Sequence, residues 1–437
     1  MSDVKQLNLT IDLCLRIGEM LLSSGAGAAD VTVTMDSVAR HLGMRNAEID
    51  VTFTSLAMSH QYDAEQPALS MIRNVKQRDI DYNDLTAVDH LVRDILDDRA
   101  DVYLARSRMA TIVSVGHPTH RWLVTIAWGV MCASVAAFLG GGVVVCGIAS
   151  LAAMSIDRVQ LAMARRRLPA FYQQVFGGVV ATLWALAAAA SEIDVDPSLV
   201  VTANIVMLLA GVGFMGAIQD ALTGFYVTSA ARLIEALLAT AGIIAGVSGG
   251  LSLGQRIGVD VGRLDPGYSG WEATWVLVVG SAVCAAAFAY ASYSPARALL
   301  PIASVSALGA AMSRLVEEAG FGRIWGAGTA AFVIGVVAYF VAGRIRVPPL
   351  VIVVSAVVPL LPGLSIYRGL SLLAAGGGQV SLGLLAMVTA AGVAIALASG
   401  VILGEYVAQP LKREARRLED RLSGPRLVGP MRARTKR

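Results

Sequence analysis

Residues 216–242 read GAIQDALTGFYVTSAARLIEALLATAG, an apolar stretch that nonetheless holds Gln219, Asp220, Thr223, Arg232 and Glu235. A charge at the centre of a bilayer costs about 2.5 to 3.5 kcal/mol on insertion scales, so charges kept there face protein or a water-filled cavity. Arg232 and Glu235 are spaced i, i+3, which puts them on one face of a helix. Carboxylates and a guanidinium gathered at one place neutralise each other and match a zwitterionic solute. In this reading Gln219, Thr223 and Arg232 bind the solute, while Asp220 and Glu235 are the candidates to carry a coupling proton. Glu235 is the better candidate because it lies deeper in its helix. The plainer reading puts Asp220 and Thr223 in an interfacial turn and pairs Arg232 with Glu235 as structural glue. Residue types alone leave both readings open.

A second constellation is VVPLLPGLSIYRGL, residues 357–370. Pro359 and Pro362 each remove a backbone donor and Gly363 relaxes the chain, so a helix should break there and leave free amides and carbonyls. Amides at the start of a half-helix attract a carboxylate. Tyr367 and Arg368 could add a hydroxyl and a guanidinium. The alternative is a proline kink with Arg368 snorkelling to the interface. Asn204, with Thr202, offers polar groups to a solute or to a neighbouring helix. Glu405, Asp157 and Arg158 read as interfacial.

These residues need a membrane scaffold. Of 437 residues, 56% are hydrophobic and 15% charged, against about a quarter charged in soluble domains. Apolar stretches long enough to cross about 30 Å of hydrocarbon recur near 122–140, 142–156, 169–190, 199–218, 225–248, 272–292, 297–312, 325–343, 348–368 and 381–405. The second and seventh are short. Residues 1–121 differ: they hold 17 Asp and Glu against 12 Lys and Arg, a net −5, leaving +8 for the rest of a chain whose total is +3. All five histidines precede residue 122, so intramembrane proton chemistry falls to carboxylates. Neither a cofactor nor a metal is expected, since no tight ligand spacing occurs. Cys14, Cys132, Cys146 and Cys284 lie far apart and read as packing residues, not disulfides. No basic stretch followed by an apolar one opens the chain, so no cleavable signal peptide is expected.

The fold expected is a mostly α polytopic membrane protein of ten spans behind a small N-terminal α+β cytoplasmic domain. The boundaries expected are 1–121 for that domain, 122–250 and 251–409 for two five-helix halves, and 410–437 for a basic tail. In the first domain, helical spacing runs over 11–23 and Asp30 is expected to cap a second helix. EIDVTFTSLAMS (48–59) alternates as one strand, ALSMIRNV follows as another, and 85–108 returns to helical spacing. Arginines at 106, 108, 121, 158, 165–167, 297, 344 and 346 fall on one side if ten crossings are counted, so both termini should be cytoplasmic. The tail from Lys412 to Arg437 reads as an anchor on anionic lipid and not as a nucleic-acid arm. DPSLVVTANIVMLLAG (196–211) can be laid over PPLVIVVSAVVPLLPG (348–363). Two halves of five spans each must run in opposite senses, and inverted repeats with interrupted helices mark secondary transporters. The ninth helix should break; Ala210–Gly211 stands where the repeat has Pro362–Gly363, which makes a break in the fourth less certain.

Three stretches carry a family resemblance: RIGEMLLSSGAGAADVTVTMDSVARHLGM (16–44), QDALTGFYVTSAARLIEALLATAGIIAGV (219–247) and PLLPGLSIYRGL (359–370). In this order the chain resembles the threonine/serine exporter family over nearly its whole length. The resemblance implies export of threonine and serine driven by the proton motive force, ten spans, and a place in a prokaryotic inner membrane. A homodimer is left open. Two other classes stand beside it: a hydrolase in the N-terminal domain with the membrane part as its anchor, although that domain has no GxSxG-type motif, and a ligand-sensing N-terminal domain that regulates a channel.

Overall fold

The computed structural model of the chain describes residues 2–61, 65, 67–75, 80–116, 119–191, 196–208, 211–256, 271–375 and 379–422. The N-terminal region opens with α1 (Ser2–Ser23) and α2 (Ala28–His41). An antiparallel sheet of β1 (Ala47–Val51), β2 (Ser55–His60) and β3 (Leu69–Asn74) follows, and α3 (Tyr82–Leu96) and α4 (Val102–Ser114) complete it. The single strand expected over 48–59 is a hairpin. The Thr52 N–H and hydroxyl both bond the Ser55 carbonyl and close a tight turn inside the alternating pattern. Likewise the helical run 85–108 is two helices, because Asp98 takes a left-handed conformation (φ 58°) and Asp101 caps α4 by accepting from the Leu104 N–H at 2.7 Å. Leu56 and Met58 of β2 are buried in the core shared with Leu13 and Ile17 of α1 and Met35 of α2.

Ten apolar segments follow: α5 (Arg121–Phe138), α6 (Val143–Arg165), α7 (Ala170–Ala189), the pair α8 (Pro197–Leu208) and α9 (Gly211–Leu222), α10 (Tyr226–Arg256), α11 (Trp271–Ala291), α12 (Ala296–Glu318), α13 (Gly322–Ile345), the pair α14 (Pro349–Val357) and α15 (Gly363–Ala375), and α16 (Val380–Leu422). Eight of these helices are long and apolar enough to span a membrane, and each bent pair could add one more. The two segments expected to be short are not: α6 and α12 each run 23 residues. Their charges, Asp157 and Arg158 in one and Arg314 in the other, sit within the helix. The ends come only where the backbone turns left-handed, at Arg167 and Gly320.

Packing follows one order twice. In the first set α5 lies on α6, α6 on α7, α7 on both α8 and α10, and α9 on α10. In the second, α11 lies on α12, α12 on α13, α13 on both α14 and α16, and α15 on α16. The sets meet where α5 packs on α11, α9 on α16 and α15 on α10. Glycines make the same seam in each set. A Cβ at Gly246 of α10 would sit 2.1 Å from the Val175 carbonyl oxygen of α7, and one at Gly404 of α16 would sit 2.5 Å from the Phe332 oxygen of α13. Such close backbones replace hydrophobic collapse, which lipid does not supply, with van der Waals contact.

Both bent pairs break at the same place in this order, by 42° between α8 and α9 and by 48° between α14 and α15. The fourth segment therefore bends almost as much as the ninth; Ala210 itself lies outside the described residues. In the ninth, the chain passes through a 3₁₀ turn (Val358–Leu360) before Gly363 starts α15. Pro359 cannot serve the carbonyls behind it, and the Ser306 hydroxyl of α12 donates to the Ala356 carbonyl at 3.1 Å. The two breaks also touch: a Cβ at Gly211 would lie 3.2 Å from Leu361.

Gly246→Ala should lower the melting temperature of the detergent-solubilised protein, since overpacking costs about 1–3 kcal/mol. Gly249→Ala, one turn along and facing open space, should leave it unchanged.

Candidate functional site

Helix α9 carries Gln219 and Asp220 at its C-terminal end, and Gly224 (φ 93°) turns the chain into α10, which brings Arg232 back beside them. The Arg232 guanidinium lies 3.0 Å from Asp220 Oδ2, with side-chain exposures of 11% and 1%. A Cβ at Gly216 would meet that guanidinium at 3.1 Å, so the glycine makes its room. The pair reaches beyond the membrane helices. Asp220 Oδ1 accepts the Ala28 N–H at 2.9 Å, and Arg232 donates to the Ala26 carbonyl at 3.0 Å. The segment Ala26–Gly27–Ala28 is thus held at both ends by one ion pair. Helix α2 starts after Gly27, which has no side chain to cap it. Its cap comes from α9. Asp30, expected as that cap, instead sits in the first turn.

Two cavities adjoin this clamp and share Gly27, Gln219 and Leu350. The smaller, about 150 Å³, is lined by Gly213, Gly216, Arg232 and Glu235 of the first helix set, Val354 of α14, and Tyr82 of α3. The larger, about 500 Å³, is lined by Asp30 and Asp89 of the N-terminal region, Asp220 and Thr223, and Glu405 of α16. Four carboxylates therefore come together from three parts of the chain. Asp30 is exposed in the wall of this cavity; crowding by surrounding protein, and then Asp220 nearby, push its carboxyl above the ordinary range. Burial also raises Asp89, although Arg93 at 2.7 Å opposes this.

Of the residues singled out by sequence, Gln219, Asp220, Thr223, Arg232 and Glu235 line these cavities. Arg232 pairs with Asp220 across two helices. Thr223 also donates to the Gln219 and Asp220 carbonyls. Asn204 is fully buried in α8, and its amide donates to the Val200 carbonyl at 2.8 Å. Pro362 and Gly363 form the break after the 3₁₀ turn; Tyr367 is buried and Arg368 half-buried in α15. Asn204, Pro362, Gly363, Tyr367 and Arg368 line neither cavity. Asp157, read as interfacial, is 5% exposed and bound by Arg121 and the Thr125 hydroxyl, each at 2.6 Å. Glu405 faces the larger cavity. The side chains of the basic tail lie outside the described residues. Among the described residues no group of three or more His, Cys, Asp or Glu could hold a metal.

The N-terminal region also bonds the second helix set. The Tyr82 N–H donates to the Ser292 carbonyl at 2.9 Å, and His90 Nε2 donates to the Arg346 carbonyl at 2.9 Å, which Arg297 shares at 3.0 Å.

A family model described as "Putative threonine/serine exporter" matches residues 12–254, and a second, "Threonine/Serine exporter, ThrE", matches 277–407. The chain is 34% identical to the "Probable threonine/serine exporter" of Mycobacterium tuberculosis, covering 95% of this chain and 80% of that one. It is 31% identical to the "Threonine/serine exporter" of Corynebacterium glutamicum, covering 95% and 86%. The chain belongs to the threonine/serine exporter family. It is thus a multi-pass membrane transporter. A shorter relative, the "Probable succinate transporter subunit YjjP" of Escherichia coli, is 26% identical over 54% of this chain but 91% of its own length. No solved structure matches the chain. In this exporter-family chain the first matched stretch supplies Asp30, Asp220 and Arg232 and the second supplies Glu405, so the cavities draw on both.

Asp220→Asn should destabilise the protein by about 3–5 kcal/mol, because it leaves the Arg232 charge buried without its partner; a double cycle with Arg232→Met in thermal unfolding should recover part of that loss. Asp30→Asn should stabilise the protein at neutral pH. An acid whose folded pKa is raised weakens the fold as it ionises, so the gap to wild type should narrow as pH falls through the raised folded pKa and be gone by the ordinary carboxyl value of about 4.

Proposed function

We propose that the chain exports threonine and serine from the cytoplasm by secondary active transport coupled to the proton motive force, with the solute bound at the mixed-charge cluster between the two helix sets. The observation that carries this reading is the buried Asp220–Arg232 pair at the junction of two cavities, in a chain whose relatives bear the exporter name. A zwitterion needs both charge signs within a few ångströms. Arg232 suits its carboxylate, while Glu235 in the smaller cavity and the carboxylates of the larger suit its ammonium. Asp220 and Glu235 are proposed as proton carriers. Gln219 and Thr223 add neutral hydrogen bonds. Asn204 and the break at Pro362–Gly363, with Tyr367 and Arg368 beyond it, act at a distance from the cavities, the break as a hinge where a half-helix can move.

The architecture we infer is ten spans in two inverted halves, in the inner membrane of a prokaryote, with both termini cytoplasmic. Three observations support it. Helix contacts recur in the same order, glycine seams join the same helices in each set, and both fourth members bend. Boundaries at 1–121, 122–250, 251–409 and 410–437 follow from this division.

Proteoliposomes with an imposed pH gradient test the reading. Wild type should drive uphill movement of labelled threonine and serine, collapse of the gradient should stop it, and Arg232→Ala should lower the rate at least tenfold. Downhill flux that ignores the gradient would point to a channel. Separate expression of residues 1–256 and 271–437 in one cell should restore part of the activity.

A further inference from the structure

The ion pair offered above to a solute is already occupied. Arg232 sends one terminal nitrogen to Asp220 and the other to the Ala26 carbonyl, 3.0 Å away, while Asp220 Oδ1 accepts the Ala28 N–H at 2.9 Å. A carbonyl on the guanidinium and an N–H on the carboxylate are the contacts that the carboxylate and ammonium of an amino acid would make there. The backbone of Ala26–Gly27–Ala28 thus imitates the solute, with a small residue at each of the three positions. It also shuts the pair in. The side chains of Arg232 and Asp220 are 11% and 1% exposed, and Ala26 and Ala28 are themselves buried. Gly27 lines both cavities, with Arg232 in the wall of the smaller and Asp220 in that of the larger. The segment therefore stands between the two voids, at the place where a solute would have to lie to reach both charges.

We propose that the Ala26–Ala28 segment is an autoinhibitory pseudosubstrate: it occupies the Asp220–Arg232 pair in this structure, and a small amino acid binds there only when the segment withdraws. The inference rests on the export reading above and adds to it the state of the site, which the chain itself closes. Both contacts come from main-chain atoms, so any solute that presents a carboxylate and an ammonium to the pair competes with the segment. The Ala26 N–H is bonded back to the Leu21 carbonyl of α1 at 3.0 Å, and Ala28 begins α2. Withdrawal therefore moves the corner between α1 and α2 as one piece. The apparent dissociation constant of such a site is the intrinsic one divided by the fraction of molecules in which the segment is out. Weakening the hold of the segment then tightens apparent binding. A contact that merely builds the site has the opposite sign, because loosening it would disorder the pair and weaken binding.

Two experiments on the full chain test this. Ala28→Pro deletes the N–H that Asp220 accepts. Proline is favoured at the first position of a helix, and Gly27 before it is already extended, at φ −69° and ψ 151°, as a following proline requires. In proteoliposomes this variant should lower the KM for serine and threonine by about threefold or more, while Ala28→Gly, which keeps the donor, should stay near wild type. The second experiment is hydrogen exchange of the wild-type chain in nanodiscs, read on peptides that cover residues 22–30. Saturating serine should speed exchange there, whereas a solute bound beside a fixed segment would slow it or leave it unchanged. This readout needs no variant, so it decides the matter even where Ala28→Pro folds poorly. Slowed or unchanged exchange in a chain that transports serine would overturn the pseudosubstrate and leave export standing. So would an unchanged or raised KM in an Ala28→Pro protein that melts like wild type. A wild type that neither binds nor moves an amino acid would overturn both readings.

Discussion

The structure turns on a buried ion pair that grips a backbone. Asp220 and Arg232 face each other at 3.0 Å, and each spends a further group on the Ala26–Ala28 segment. Either charge alone would be costly in a low dielectric. Together, bonded to an amide and a carbonyl, they satisfy one another and the start of a helix. The contact unites the N-terminal region with α9 and α10, while Tyr82 and His90 tie the same region to the other helix set. The cavities lie where this region meets both helix sets.

Much of this was legible in the residues. The apolar lengths and glycine-bounded turns marked the membrane segments, and the charges in 216–242 marked the cluster. What the chain order concealed was the partner. Arg232 and Glu235 share a helix face, which suggests a pair, but Gly216 clears space toward α9 and the guanidinium reaches Asp220 there. One signal was available: SGAGAAD offers only glycine at the N-cap of α2, and a helix start without a local cap asks for one from elsewhere. Tyr82 gave no such sign, because an aromatic at a helix start reads as ordinary core. Asp30 and Glu405 lie 375 positions apart, and no periodicity links them.

The broken segments show a different limit. Pro359 and Pro362 announce the break in the ninth segment, while the fourth has no proline near its bend. There the conformation is set by packing. Gly211 brings its backbone against Leu361, so each break occupies space that an unbroken helix opposite would deny. The likeness of the two sets lies more in which helices touch than in which residues recur, and sequence comparison of 196–211 with 348–363 sees only part of it.

Because α2 is capped by a residue 192 positions further along the chain, the order of synthesis matters. The ribosome releases the N-terminal region long before α9 exists, so its helix start waits with an open amide until about a third of the remaining polypeptide has been made. Assembly of this protein is then checked by its own geometry: a chain whose first membrane segments insert wrongly never delivers Asp220, and the waiting region stays loosely joined, recognisable to the proteases that clear failed products.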